Sequence, residues 1–171
     1  VSEKGYLGRR GGIDMMVAMN PQTWAADVEE IAPGGYLLYD STRPRAPSEL
    51  RDDITVIGMP LTEICNATYS DPRQRQLFKN IMYVGALSVL LDMDAQVIEQ
   101  LLGEQYKGEE NLIAANVQEL NLGRDFAREH LRHPLPVRVE RAHRVGQRIF
   151  IDGNTAAGLG AVYGGATVCA W

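Results

Sequence analysis

Three short apolar runs end on residues placed to face a ligand. IDMMVAM runs into Asn20-Pro21, YLLY into Asp40-Ser41-Thr42, and ITVIGM into Pro60. If these runs are parallel strands, their carboxyl ends share one edge, and ligands of open parallel sheets bind beyond that edge. An amide, a carboxylate and two hydroxyls there would orient a bound group by hydrogen bonds, and none of them is an activated nucleophile. The same side chains also suit the caps and turns that follow strands. For Asn20 and Asp40, capping is the weightier expectation.

Elsewhere the residues that carry chemistry are sparse. Gly11-Gly12 and Gly34-Gly35 precede apolar runs, so neither opens a helix after a strand as a dinucleotide-binding turn must. GNTAAGLG, 153–160, does follow an apolar run, but it lacks the GxGxxG spacing and no phosphate-binding lysine follows it. Its Ala156, Gly160 and Gly164 recur every four residues, which lets a helix lie close against a neighbour. His130 and His133 have the i, i+3 spacing of a metal pair. No carboxylate pattern joins them, and with His143 they read as solvated surface. Cys65 and Cys169 stand in no CxxC or Cys/His spacing, which argues against a metal site and fits two buried, reduced thiols in a cytoplasmic protein. No spacing supports a nucleophile elbow, a Walker loop or a Ser/His/Asp arrangement.

The elements that must position these residues alternate in type. Residues 13–19 read as a buried strand, and 21–31 as a helix with Trp24, Val28 and Ile31 on one face, broken by Pro33-Gly34-Gly35. A second strand spans 36–39 and a third, after a proline-containing polar stretch, spans 54–59. A short helix is expected over 61–67. Asp71 suits an N-cap and Pro72 the first position of a long helix reaching about Leu91. Its apolar stripe is Leu77, Ile81, Val84, Leu87 and Leu91, widened by Met82, Ala86 and Val89, with Gly85 and Ala86 open to a close neighbour. Two amphipathic helices follow, 94–102 with Val97, Ile98 and Leu101 inward, and 111–131 with Ile113, Val117, Leu120 and Phe126. The prolines of 133–136 end the second. Residues 148–152 read as a strand or lead-in, and Gly153 begins a helix expected to be buried. Strand–helix alternation specifies an α/β fold with a parallel sheet. Three strands are few for such a sheet, so more are expected before Val1.

Composition bounds the class. The chain has 171 residues, 45% of them hydrophobic and 23% charged, which is ordinary for a globular domain. A net charge of −5 argues against nucleic-acid binding. No apolar run approaches the roughly 18 residues of a membrane span, and the first residues, VSEKGYLGRR, lack the apolar central stretch expected of a signal peptide.

The ordered pattern IDMMVAMN, APGGYLLYDST, ITVIGMPLTEI and KNIMYVGALSVLL resembles the gamma-type domain of thiamine-dependent 2-oxoacid:ferredoxin oxidoreductases. Met19-Asn20 matches that family's strand-ending pair, 33–40 its Pro-Gly-Gly strand ending in Tyr-Asp, 60–64 its Pro-x-Thr-Glu-Ile segment, and 80–87 its Asn-initiated helix. The tail, GNTAAGLGAVYGGATVCAW, is similar to the opening of the family's alpha-type, thiamine-pyrimidine domain. The resemblance implies a Rossmann-like parallel sheet flanked by helices over 1–136, a linker over 137–147 and the start of a second α/β domain over 148–171. It also implies that the front of the first domain lies before Val1 and that the second continues past Trp171.

A gamma domain fused ahead of an alpha domain resembles the large subunit of 2-oxoglutarate:ferredoxin oxidoreductase. The activity implied is CoA-dependent oxidative decarboxylation of 2-oxoglutarate to succinyl-CoA and CO2, with ferredoxin as electron acceptor. Pyruvate or another 2-oxoacid stays open as substrate. Thiamine diphosphate, Mg2+ and a [4Fe-4S] cluster are implied mostly on a partner beta subunit, in an (αβ)2 assembly in the cytoplasm, and coenzyme A is the co-substrate. The resemblance implies no catalytic residue and no metal ligand on this chain. Asn20, Asp40 and Asn80 are the candidate cofactor-binding positions. Two other readings stay open: a coenzyme A or nucleotide-binding module using the strand ends, and an assembly domain whose helices 72–91 and 111–131 dock a partner.

Overall fold

The computed structural model describes residues 11–140, 146, 147, 149 and 151–168. The chain forms two compact units that divide between Val139 and Glu140. The first unit is built on three parallel strands, β1 (Ile13–Ala18), β2 (Ile31–Asp40) and β3 (Thr55–Met59), in that spatial order. Helices α1 (Trp24–Glu29), α2 (Leu61–Thr68), α3 (Pro72–Leu90), α4 (Ala95–Gln105) and α5 (Glu110–His130) surround them, with a 3-10 turn at Pro47–Glu49.

The sheet is apolar on both faces, as parallel strands covered by helices must be. In β2, the middle strand, Leu37 and Leu38 point to opposite sides and both are fully buried. Leu38 joins Ile57 and Met59 under Leu61 and Cys65 of α2, Met82, Ala86 and Leu90 of α3, and Ala127 of α5. Leu37 joins Ala18, Ile31 and Ile54 under Trp24 and Val28 of α1. Asp40 pairs with Met59, and Tyr39 pairs with both Ala18 and Gly58, so the three carboxyl ends lie level.

The expected second strand, 36–39, is too short, and the expected first helix, 21–31, too long. β2 begins at Ile31, which leaves α1 only six residues. Ile13 pairs with Ile31, but Met15 pairs with Tyr36, so a register shift lies between them. The Pro-Gly-Gly stretch fills that shift, with Gly34 at φ 79° and its N–H donated to Asp53 O at 2.7 Å. Those residues therefore bulge a strand where the sequence suggested a break.

Asp71 caps α3, accepting from Arg73 N at 2.8 Å, with Pro72 at the first helical position. The face α3 buries is rotated from the expected stripe, keeping Met82 and Ala86, which widened it, at its centre. Phe78, Met82, Ala86 and Leu90 are buried, whereas Leu77 is 66% exposed. The reason is the crossing with α5. A Cβ on Gly85 would collide with the Leu120 carbonyl, and one on Gly123 with that of Met82. Backbone meets backbone there, so this contact sets the rotation of both helices. On α5 the buried residues are Asn116, Glu119, Leu120, Gly123 and Ala127; of these only Leu120 belongs to the expected apolar set, and the rest are small or polar residues that carry little apolar signal. In α4, capped by Asp94 through Gln96 N at 3.0 Å, Leu102 is buried and Leu101 is 56% exposed. That reverses the inward position expected for Leu101.

Beyond α5, Leu135 is buried in the main core, its N–H on Leu90 O at 2.8 Å, and Val139 N–H reaches Leu91 O at 2.9 Å. The start of the expected linker is thus fastened to the end of α3. In the second unit, Asp152 caps α6 (Gly153–Tyr163), accepting from Thr155 N at 2.9 Å and Thr155 Oγ1 at 2.6 Å. The burial expected for this helix is not found, since none of its residues is buried. Nothing lies within 4 Å of a Cβ built on Gly160. The strand or lead-in expected over 148–152 shows no strand at Ile149, Ile151 or Asp152, and Arg148 and Phe150 lie outside the described residues. No helix among the described residues is long and apolar enough to cross a membrane.

Candidate functional site

The level strand ends open into a cavity of about 570 Å³, within the range of small-molecule sites. The turn after β1 brings Met19 and Asn20 to it, the end of β2 brings Tyr39 and Asp40, the segment after β2 brings Thr42, Arg43 and Arg45, α2 brings Thr62, and α3 brings Gln76 and Lys79. Two of the three sequence candidates, Asn20 and Asp40, therefore line one cavity. Asn80 does not. It is exposed on α3, and the lining from that helix is Gln76 and Lys79.

Asp40 is the best-connected side chain of the site. The residue before α2 is Pro60, which has no side-chain acceptor for the helix's first N–H groups. The end of β2 supplies it instead. Asp40 Oδ1 accepts from Thr62 N at 3.3 Å and from Thr42 N at 3.2 Å, while Thr42 Oγ1 accepts from Glu63 N at 3.0 Å. On the other oxygen, Thr62 Oγ1 donates to Asp40 Oδ2, and Lys79 Nζ stands 3.7 Å away. Lys79 also donates to Thr62 Oγ1 at 3.3 Å. Burial pushes the Asp40 carboxyl upward, but side-chain and backbone hydrogen bonds from Thr62 and Thr42 outweigh it and hold the pKa below its ordinary value. Asn20 also serves its own backbone, its Oδ1 accepting from Gln22 N at 3.0 Å.

The cations of the site were not among the sequence candidates. Arg43, Arg45 and Lys79 face a lining whose single carboxylate is Asp40. Arg45 lies over the Trp24 ring, 4.2 Å from its centroid, and pairs with Glu49 at 3.2 Å. Trp24 is fixed in turn by Tyr39, edge-on at 5.5 Å, and by its Nε1–H on Glu49 O at 3.2 Å. Arg43 is exposed. The excess of positive charge beside an aromatic wall fits an anionic ligand with a flat or apolar part. Two arginines directly after a strand end, in STRPRAP, were a readable signal. Lys79 had none, because it reaches the site from a distant helix.

No cysteine or histidine lines the cavity. Cys65 is buried, and burial together with the nearby Glu119 pushes its thiol up to about 11, an inert state. Cys169 and His143 lie outside the described residues. His130 and His133 are exposed, His130 tilted against Phe126 at 4.7 Å and His133 beyond the end of α5. Among the described residues no three His, Cys, Asp or Glu side chains gather as metal ligands. They provide no ligand set for Mg2+ or an iron–sulfur cluster.

Comparison with known proteins places this geometry. Residues 2–126 match the family profile described as pyruvate ferredoxin/flavodoxin oxidoreductase. Over 118 residues the chain is 25% identical to ketoisovalerate oxidoreductase subunit VorA of Methanothermobacter thermautotrophicus, a match covering 69% of this chain and 24% of that protein. Its fold is similar to 2-oxoglutarate:ferredoxin oxidoreductase from Magnetococcus marinus, solved with 2-oxoglutarate, coenzyme A and succinyl-CoA bound. The TM-score is 0.74 at 26% identity, over 89% of this chain and 26% of that one. The gamma subunit of a keto/oxoacid ferredoxin oxidoreductase from Geobacter sulfurreducens shares the fold at TM-score 0.53 and 17% identity, over 68% of this chain and 64% of that one. The chain spans about a quarter of the length of the first two.

Proposed function

The chain belongs to the pyruvate ferredoxin/flavodoxin oxidoreductase family, and from that premise we propose that it is part of the large subunit of a cytoplasmic 2-oxoacid:ferredoxin oxidoreductase acting on 2-oxoglutarate. One observation carries this reading: the fold match over 89% of the chain to an enzyme solved with 2-oxoglutarate and coenzyme A. In the reaction the bond between the carboxylate carbon and the keto carbon breaks and CO2 leaves. The remaining acyl group passes to the CoA thiol, and two electrons pass to ferredoxin. Thiamine diphosphate, held with Mg2+ and the cluster mostly by a partner beta subunit, supplies the electron sink for that cleavage.

The role of this chain is to bind. The cavity at the strand ends holds the anionic part of coenzyme A through Arg43, Arg45 and Lys79. The Trp24–Arg45 stack offers a flat wall beside it. Domain limits of 1–136, 137–147 and 148–171 and an (αβ)2 assembly go with this reading.

The test is steady-state kinetics of the purified complex. Arg43→Ala and Lys79→Met should each raise KM for CoA about ten-fold, the scale of one lost charge-assisted hydrogen bond, and leave KM for 2-oxoglutarate unchanged. Unchanged KM for CoA in both would remove coenzyme A from this cavity. A higher kcat/KM with pyruvate or a branched 2-oxoacid than with 2-oxoglutarate would overturn the substrate.

A further inference from the structure

Asp40 lines the cavity, yet it has no acceptor to offer a ligand. A carboxylate has about four lone-pair sites. Here they face Thr42 N, Thr62 N, Thr62 Oγ1 and Lys79 Nζ. On the reading of the cavity as the coenzyme A site, we propose that Asp40 is a positioning residue: through Thr62 it holds the Lys79 ammonium at the place where ligand phosphate binds.

The connections follow from the donors. The Thr62 hydroxyl gives its proton to Asp40 Oδ2 and turns a lone pair to Lys79 Nζ at 3.3 Å. A hydroxyl has one proton, so its gift to Asp40 fixes the direction in which it accepts. Lys79 has a flexible four-carbon stem, and freezing it before the ligand arrives spares that cost at binding. Lys79 and Asp40 are both largely sheltered, with side-chain exposures of 19% and 18%, so solvent screens the pair only in part. The same carboxylate caps α2, which keeps Thr62 in register. A carboxylate left open to the cavity would repel an anionic ligand; this one is neutralised by the contacts that aim the lysine.

Kinetics of the complex with Lys79→Met, Asp40→Asn, Thr62→Val and Thr62→Ser test this, with melting temperatures alongside. Lys79→Met should raise KM for CoA about ten-fold. Asp40→Asn and Thr62→Val should raise it by a similar factor while kcat falls less than about two-fold. Thr62→Ser should stay near the parent value. The double variant D40N/K79M should be no worse than K79M, since both act on one contact. A purely structural role for Asp40 predicts a lower melting temperature with KM for CoA unmoved, and that result would overturn the proposal, as would additivity in the double variant. If K79M itself leaves KM for CoA unchanged, the site reading fails and the proposal with it. If K79M weakens CoA and D40N does not, the site stands and the positioning role falls. Should D40N not assemble, the Thr62→Val and Thr62→Ser pair decides alone.

Discussion

Asp40 and Glu119 are both sheltered carboxyls that accept from a hydroxyl, and their neighbours move them in opposite directions. Asp40 has four partners and titrates below its ordinary value. Glu119, fully buried on α5, accepts from Tyr69 Oη–H on Oε1, while its Oε2 has no partner among the described residues. Burial pushes its pKa up to about 7. The signs differ accordingly. Asp40 contributes stability above the unfolded-state pKa near 3.8, and loses it as pH falls through the lower folded value. Glu119 has a folded pKa above its unfolded 4.5, so the protein loses stability as pH rises from there through about 7. We predict that Glu119→Gln stabilises the protein at pH 8 relative to the parent, by roughly 3 kcal/mol at most, with the gain vanishing near pH 5. Denaturant unfolding at the two pH values checks it, and an equal effect at both would rule out titration of Glu119 as the cause. Asp40 was legible in the sequence because it ends an apolar run. Glu119 was not, because in a charge-rich amphipathic stretch a buried glutamate looks like its exposed neighbours.

The crossing of α3 and α5 is the element-scale feature with the most at stake. Gly85 and Gly123 each meet a carbonyl of the other helix where a Cβ would stand. Neither collision involves a flexible side-chain tip, so relief requires the helices to part. Gly123→Ala should therefore cost about 3 kcal/mol or more, whereas Gly103→Ala, on α4 with open space around it, should be neutral or slightly stabilising through helix propensity. Thermal melts of the two variants make the comparison. Gly85 was recognised from sequence as a place for close approach, but its partner was not. Large apolar residues dominated the stripe read from sequence, while the helices meet through their smallest residues, which places Leu77 in solvent and Phe78 in the core. The Pro-Gly-Gly stretch misled for a similar reason. Gly34 breaks regular pairing, but neighbouring strands can hold the chain in register on both sides of a bulge.

Over the whole molecule, charge and local site disagree in sign. The net charge is −5, yet the cavity gathers Arg43, Arg45 and Lys79; Lys79 faces Asp40 and Arg45 pairs with Glu49, and Arg43 leaves the local balance positive. A polyanion is therefore drawn by a local field against the general one. Raising ionic strength from about 0.05 M to about 0.5 M shortens the screening length well below the width of the site, and KM for CoA should rise several-fold. In K79M the rise should be smaller, because one of the screened charges is already gone. KM for CoA as a function of salt in the two proteins measures this.

The order of strands and helices, the Asp71-Pro72 helix start, and the family follow from the sequence by itself. Each depends on periodicity, caps or motif order, which are properties of short stretches read in turn. Asn20 and Asp40 as strand-end residues belong to the same kind. Tertiary structure alone decided that Lys79 joins Asp40 while Asn80 beside it does not, which faces α3 and α5 bury, and that Glu119 is enclosed. Those outcomes depend on helix rotation about the Gly85–Gly123 contact, and rotation is set where two backbones meet, by residues with almost no side chain to announce it.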